Sequence, residues 1–421
     1  MNSDTTGKLL RVLTLKDAVG VGLGAIIGAG IFVVTGVAAG ISGPAFLIGL
    51  LIAGFIATCN ALSSAQLAAI YPFSGGTYDY GNRLLNPALG FTAGWMFLIS
   101  KLSAGSVVAI GFGSYFYQLT GLGTPLILAI VAIVILTIAN LSGIKKAGML
   151  NLIIVGFTIL SLIYLVISGI PEVKQEHFVP FAPFGISGIA EASALLFFAF
   201  TGYARIATLA EEVKDPKTTI PKAIVITIVT AILLYGLVSF AAIGVIGFEA
   251  MAQTTSPLQI VAEKLQTPFI QIIVALGACT AMLGVLLSQI LGISRMLFAM
   301  ARNNDFFPAF QMINFRFKVP ALAIITTGSI ILLLTIFGTF TFILSSAAFS
   351  ILLYYSITNI AALKQPEKDR LYTRFVPVLG LLGCLALAFS LAWKVIFTGI
   401  ILLVAGFVFR FILKSFLAKR A

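Results

Sequence analysis

The chain is 421 residues long, 60% hydrophobic and only 10% charged, with a mean hydropathy of +1.11. A soluble domain carries about 25% charged residues, so this composition excludes an ordinary soluble protein and predicts an all-α integral membrane protein. The formal charge of +12 raises nucleic acid as a partner, but the placement of the basic residues assigns the charge to topology.

At roughly 20 apolar residues per crossing, about twelve runs are long enough to span a bilayer. They centre near residues 28, 56, 102, 132, 160, 200, 235, 284, 328, 351, 382 and 405. The first contains GVGLGAIIGAGIFVVTG (20–36). It is too long for a signal-peptide core and has no clear small-residue cleavage site after it, so it reads as a mature helix. Gly20, Gly24 and Gly28 recur at i+4 and share a face on which another helix can approach. The denser Gly28-Ala29-Gly30 cluster suggests a place where the helix comes apart.

Cys59, Cys279 and Cys384 lie inside hydrophobic runs without a CxxC spacing and read as small buried hydrophobes. The third run carries a lysine, Lys101, in GWMFLISKLSAGS. Counted from a start near Leu89 at 1.5 Å per residue, it lies about 18 Å deep. An ionisable group at that depth costs at least ~2.5–3.5 kcal/mol on insertion scales and is a functional hypothesis by default. The alternative is a structural lysine satisfied by carbonyls.

The longest polar stretches are GIPEVKQEHFVPFAPFG (169–185), EEVKDPKTTIPK (211–222) and KQPEKDRLYTR (364–374). With a cytoplasmic N-terminus, Lys8, Arg11, Lys16, Arg83, Lys145, Lys146, Lys214, Lys217, Lys222, Arg302, Arg316, Lys318, Lys364, Lys368, Arg370, Arg374, Lys414, Lys419 and Arg420 fall on the cytoplasmic side. Only Lys174, Lys264 and Lys394 fall in the opposite loops. By the positive-inside rule both termini are cytoplasmic, in a multi-pass protein of the plasma (inner) membrane.

The sixth run contains FFAFTGYARI (197–206), a second glycine-interrupted stretch in mid-membrane. Interrupted helices at matching positions in two halves point to an inverted-repeat transporter. Spans 1–5 and 6–10 would then be related by inversion, a transport core over 1–364, with spans 11 and 12 appended over 365–421. A broken helix in hydrocarbon exposes backbone N–H and C=O groups at several kcal/mol each if unmet. Free N–H groups suit a carboxylate and free C=O groups an ammonium. An α-amino acid carries both.

GAIIGAGIF (24–32), YPFSGGTYDYGNRLLNP (71–87), FFAFTGY (197–203) with EEVKDPKTTIP (211–221), and SRMLFAMARNN (294–304) together resemble the amino acid–polyamine–organocation superfamily of transporters. GAGIF stands where the family has GSGIF. The resemblance implies a leucine-transporter-like fold of about twelve helices, a five-plus-five inverted repeat with discontinuous helices 1 and 6. It implies a substrate site over Ile26, Ile27, Gly28, Ala29, Gly30, Phe198, Thr201 and Gly202. Ala29 and Gly30 would offer N–H groups to the carboxylate. Ile26, Phe198 and Thr201 would offer carbonyls to the ammonium, and the Phe198 ring would act as a gate. One core aromatic among 35 phenylalanines is the plainer reading of Phe198.

Proton-coupled members of that family place a lysine in the fifth span. Counted from Asn140 to Gly143, that position is Thr158 here, and the serine expected opposite aligns with Ala281, beside Thr280. The usual coupling lysine is therefore absent. Lys101 could supply the positive charge from another helix, or Thr158 and Thr280 could take part in a sodium site. Arg205 follows the second break, as an inner-gate residue or as a charge facing the cytoplasmic funnel. Glu191 lies near the outer end of the sixth span, and Arg295 at the cytoplasmic end of the eighth.

An enzyme finds little support: HExxH is absent and the lone histidine, His177, sits in a polar loop, against zinc-protease and histidine-triad chemistry. Gly20-x-Gly22-x-x-Ala25 fits a dinucleotide fingerprint without its βαβ context. No TVGYG-like filter marks a channel. The sequence thus predicts a secondary transporter of an amino acid, working by proton-coupled symport or exchange, without cofactor, catalytic residue or metal site. No acidic residue replaces Ala204 after the second break, which favours a neutral substrate. A cationic amino acid or polyamine antiporter, and a non-transporting sensor of the same fold, are the alternatives.

Overall fold

The computed structural model describes residues 13–71, 75–142, 148–207, 213–314 and 319–418. Lys8, Arg11, Lys145, Lys146, Arg316, Lys318, Lys419 and Arg420, counted above for orientation, lie outside them, as do parts of two quoted motifs (72–74 and 211–212). The described residues form helices α1 (Leu15–Ile26), α2 (Thr35–Ser42), α3 (Phe46–Ile70), α4 (Thr77–Tyr80), α5 (Pro87–Thr120), α6 (Pro125–Leu141), α7 (Gly148–Gly169) and α8 (Gly185–Phe200). After these come α9 (Ala204–Ala207), α10 (Pro216–Ala252), α11 (Pro257–Leu265), α12 (Ile270–Arg302), α13 (Ala321–Phe337), α14 (Phe340–Lys364), α15 (Phe375–Ser390) and α16 (Trp393–Ala418). Among the described residues there is no strand, only a single bridge between Leu13 and Val213.

Local chemistry sets the helix ends. The Thr14 side chain caps α1, and the Asp17 carboxylate accepts the Thr14 N–H at 2.8 Å, a capping box. Asn86 and Thr124 cap α5 and α6 through the Leu89 and Ile127 N–H groups, each followed by a proline at the first helical position, where its missing N–H costs nothing. Gly43 turns the chain between α2 and α3 with φ +62°, a conformation that favours glycine. A second positive φ, +78° at Gly247, kinks α10. The Gly244 carbonyl one turn earlier is met by the Lys174 N–H at 2.9 Å and by His177 Nδ1 at 2.7 Å. His177 is thus a brace between the 169–185 loop and the α10 kink.

Among the described residues, eight helical segments are long and apolar enough to cross a membrane, the first running Leu15–Ile70, and α6, α13 and α15 are shorter apolar helices. They sort into layers. The most apolar stretch of the first segment is 78% buried, against 22% for α16, so the glycine-rich N-terminal segment is core and the last helix is peripheral. On the outer helices Leu160, Leu233, Phe337 and Phe411 are exposed, as lipid-facing side chains are. The inner helices pack α5 along α12 and α14, α1 against α7 and α10, and α8 against α2 and α3. All three cysteines are buried and free; Cys384 accepts a hydrogen bond from Asn60 at 3.0 Å.

Candidate functional site

The first segment comes apart where its glycines cluster. Helix α1 closes with the Ile27 N–H donating to the Leu23 carbonyl at 2.8 Å, after which Ile27 is extended at φ −76°, ψ 105°. The chain restarts at Ala29, and Gly30–Val34 form a wide π turn before α2. The N–H groups of Ala29 and Gly30 open a new helix, so no carbonyl one turn earlier is placed to accept them.

The second interruption differs. Between α8 and α9, Thr201–Tyr203 tighten into a 3₁₀ turn, yet Phe200 (φ −96°) and Thr201 (φ −68°) stay in the right-handed region. Gly202 does not unwind the helix. A Cβ there would lie 2.3 Å from the carbonyl carbon and oxygen of Ala25, so the glycine allows close contact with α1. Likewise a Cβ on Gly30 would lie 2.6 Å from Ala199 Cβ and 2.7 Å from its Cα. The pairs 25/202 and 30/199 run in opposite senses, so the two interruptions lie antiparallel against each other. Gly20 and Gly28 face elsewhere, toward Leu152 of α7 and Val285 of α12. Both roles suggested for the glycines are present, on different faces.

A cavity of about 30 Å³ opens between the interruptions. Ile26, Gly28, Ala29, Gly30, Phe198 and Thr201 line it, and so does Lys101. Ile27 and Gly202 do not. Ile27 lines a second cavity of about 10 Å³ with Gly24, Thr158, Ala281 and Gly284. Thr280 is not in that wall, but the Thr158 and Thr280 hydroxyls both donate to the Gly277 carbonyl, at 3.3 and 3.2 Å. Each also reaches a carbonyl on its own helix, Ile154 and Leu276, at 2.9 and 2.8 Å. Lys101 is therefore grouped with the helix breaks, away from Thr158 and Thr280. Among the described residues it has no carboxylate within ion-pair distance, and Arg205 is near enough for the two cations to repel. Glu191 faces the backbone of Ala392 instead of the cavity.

The cavity between the interruptions has room for about two waters. Residues 13–416 match the family model described as amino acid permease. The chain belongs to that family. An uncharacterized transporter of Mycobacterium tuberculosis is 37% identical over 96% of this chain and 91% of its own length. A branched-chain amino acid permease of Bacillus subtilis is 30% identical over 96% and 93%, and a methylthioribose transporter of the same species 30% identical over 91% and 89%. These relatives are permeases and transporters, not enzymes, and this permease is a multi-pass membrane protein of the amino acid–polyamine–organocation superfamily.

Three polar residues at the permease's cavity escape a reading of the sequence. The Tyr235 hydroxyl on α10 donates to the Ile26 carbonyl at 2.8 Å, and the Tyr355 hydroxyl on α14 donates to the Thr201 carbonyl at 3.2 Å. The Phe198 carbonyl accepts the Thr201 hydroxyl at 3.0 Å. The Ile26 and Thr201 carbonyls thus each already hold one hydroxyl, and the Phe198 carbonyl accepts both the hydroxyl and the backbone N–H of Thr201. Gln289 of α12 is the third, in the wall beside Lys101. A buried tyrosine needs a partner for its hydroxyl, and that was the available signal for Tyr235 and Tyr355.

Proposed function

We propose that this chain moves an α-amino acid, neutral in its side chain, across the plasma membrane by alternating access with proton coupling. The observation that supports the reading is the shared cavity: Ala29 and Gly30 of the restarted helix, Ile26, Phe198, Thr201 and Lys101 line one space. Ala29 and Gly30 receive the carboxylate, the three carbonyls the ammonium, and the Phe198 ring covers the site. The topology that goes with this counts the Leu15–Ile70 segment as two spans and α6, α13 and α15 as spans, twelve in all. Spans 1–5 and 6–10 form the inverted repeat, both termini are cytoplasmic, and spans 1, 2, 6 and 7 move against the rest.

A relative named for branched-chain amino acids supports a neutral substrate. The Lys101 amine in the wall works against a cationic one, although a plant relative at 29% identity is named a cationic amino acid transporter. Gain or loss of a proton at Lys101 changes the charge of the cavity itself, which ties protonation to substrate occupancy. A sodium site at Thr158 and Thr280 has less support, since Thr158 lines the second cavity and Thr280 is not in that wall.

Uptake of a panel of radiolabelled amino acids into proteoliposomes, with and without a pH gradient, tests the reading. Accumulation driven by an inward proton gradient is expected. Binding without accumulation would instead make the chain a sensor. Amino acid amides and N-acetyl amino acids should compete poorly, because a buried group left unpaired costs about 1–3 kcal/mol, roughly tenfold to a hundredfold. Equal competition by decarboxylated amines would favour the polyamine alternative.

A further inference from the structure

The wall of the main cavity away from the helix breaks is built from α5 and α12. On α5, Lys101, Gly105 and Val108 stand at i, i+4 and i+7; on α12, Val285, Gln289 and Gly292 do the same, so each set shares one face. Lys101, Val108, Val285 and Gln289 line the cavity. A Cβ on Gly105 would lie 3.5 Å from Gln289 Oε1, so the carboxamide of Gln289 lies across Gly105, one turn from Lys101. Gln289 Oε1 is buried and has no hydrogen-bond partner. A buried acceptor without a partner is costly, as is an amine within the bundle that has no carboxylate at ion-pair distance among the described residues, and here both residues line one wall.

We infer that Lys101 and Gln289 form a side-chain subsite for a carboxamide, which makes the substrate an amino acid of the glutamine or asparagine type. The inference rests on the amino acid reading given above. Lys101 donates to the side-chain carbonyl oxygen of the substrate, and Gln289 Oε1 accepts from its amide N–H. Val108 and Val285 supply the apolar surface for the methylenes. An aliphatic side chain would leave both polar groups desolvated and unmatched. A cationic one would face Lys101 with Arg205 behind it. A carboxylate would satisfy Lys101 but set an anion against Gln289 Oε1, unless the amide stands the other way round and offers a second donor.

Uptake of labelled L-glutamine into proteoliposomes, challenged by unlabelled asparagine, leucine, glutamate and lysine, reads the subsite directly. Asparagine should compete within a few-fold of glutamine, and the other three at least about tenfold less well. Gln289→Leu should cut glutamine uptake about tenfold and raise leucine's relative competition, while Gln289→Asn should restore part of the preference. Thermal unfolding of each purified variant confirms that the compared proteins are folded. Glutamate outcompeting glutamine would overturn the inference in favour of an anionic side chain. Leucine outcompeting it, or an unchanged glutamine-to-leucine ratio in Gln289→Leu, would overturn it in favour of an unselective wall. In those cases transport of an amino acid still stands; if no amino acid is bound or accumulated, both readings fail together.

Discussion

Asp305 and Lys101 are both held away from bulk water, and their surroundings are opposite. Asp305, 2% exposed, accepts the Arg410 Nε–H at 2.8 Å and the Tyr78 hydroxyl at 2.9 Å, with Lys414 Nζ at 3.7 Å. Tyr78 in turn accepts from Asn303 at 3.0 Å. Burial, and then the charge of Asp305, push the Tyr78 phenol above its usual range, so it remains a donor. Arg410 lies 4.9 Å over the Phe91 ring. This cluster ties the segment after α12 to α16 and to α4, and each polar partner is committed. Lys101 lines a cavity and, among the described residues, has no carboxylate within ion-pair distance. A satisfied buried charge organises the fold, whereas the proposal above gives the uncompensated one a ligand and a proton to meet.

The comparison breaks most visibly at Arg410. Removing one partner of a buried ion pair leaves the other charge stranded, at about 3–5 kcal/mol. Arg410→Ala should therefore lower the melting temperature in detergent sharply. Asp305→Asn combined with Arg410→Met should recover much of the loss, since no buried charge is left unpaired. Lys101→Ala removes a charge that has no carboxylate partner among the described residues, so its melting temperature should stay near that of the wild type. Equal losses in Arg410→Ala and Lys101→Ala would mean that Lys101 is structural after all.

Gly30→Ala comes next. Its Cβ would stand 2.6–2.7 Å from two atoms of Ala199, including backbone, so the two interruptions must separate. Overpacking of this kind costs about 1–3 kcal/mol. Uptake should be abolished while most of the protein remains folded by thermal unfolding. Wild-type uptake would remove the helix breaks from the site.

Lys101→Ala also has a kinetic readout. As proton carrier, Lys101 makes uptake depend on pH, and the variant should lose that dependence in the exchange it retains, with weaker glutamine binding because the side-chain donor is gone. An unaltered pH profile in the variant would exclude the carrier role.

The parts of this site that the sequence reveals are those whose cause is local. Glycines at Gly28 and Gly30 announce a break because no neighbour is needed to weaken a helix there. Lys101 stands out because the bilayer alone makes it costly. Gly202 was legible as an interruption but not as a contact, since Ala25 lies far away in the chain. Tyr235, Tyr355 and Gln289 sit in helices that are apolar nearly all round, where periodicity does not say which face turns inward. Their partners are fixed by packing across the bundle: Tyr235 and Ile26 are 209 positions apart, Tyr355 and Thr201 154.

The smallest effect belongs to those tyrosines. Tyr355→Phe removes one neutral hydrogen bond, worth about 0.5–1.5 kcal/mol, and keeps the ring packed against Phe197 and Tyr203. If the hydroxyl only fills space, stability falls slightly and transport kinetics are untouched. If it positions the Thr201 carbonyl for the substrate ammonium, KM should rise severalfold with little change in kcat. The preference for a free amino group over its N-acetyl form should also narrow, because the carbonyl that reads the ammonium is no longer held. Tyr235→Phe should do the same through the Ile26 carbonyl. Competition by the parent and N-acetylated amino acids in wild type and both variants separates the two roles. A shared rise in KM with narrowed discrimination would extend the contrast with Asp305: around the cavity even the neutral hydrogen bonds serve the ligand, while at Asp305 the charges serve the fold.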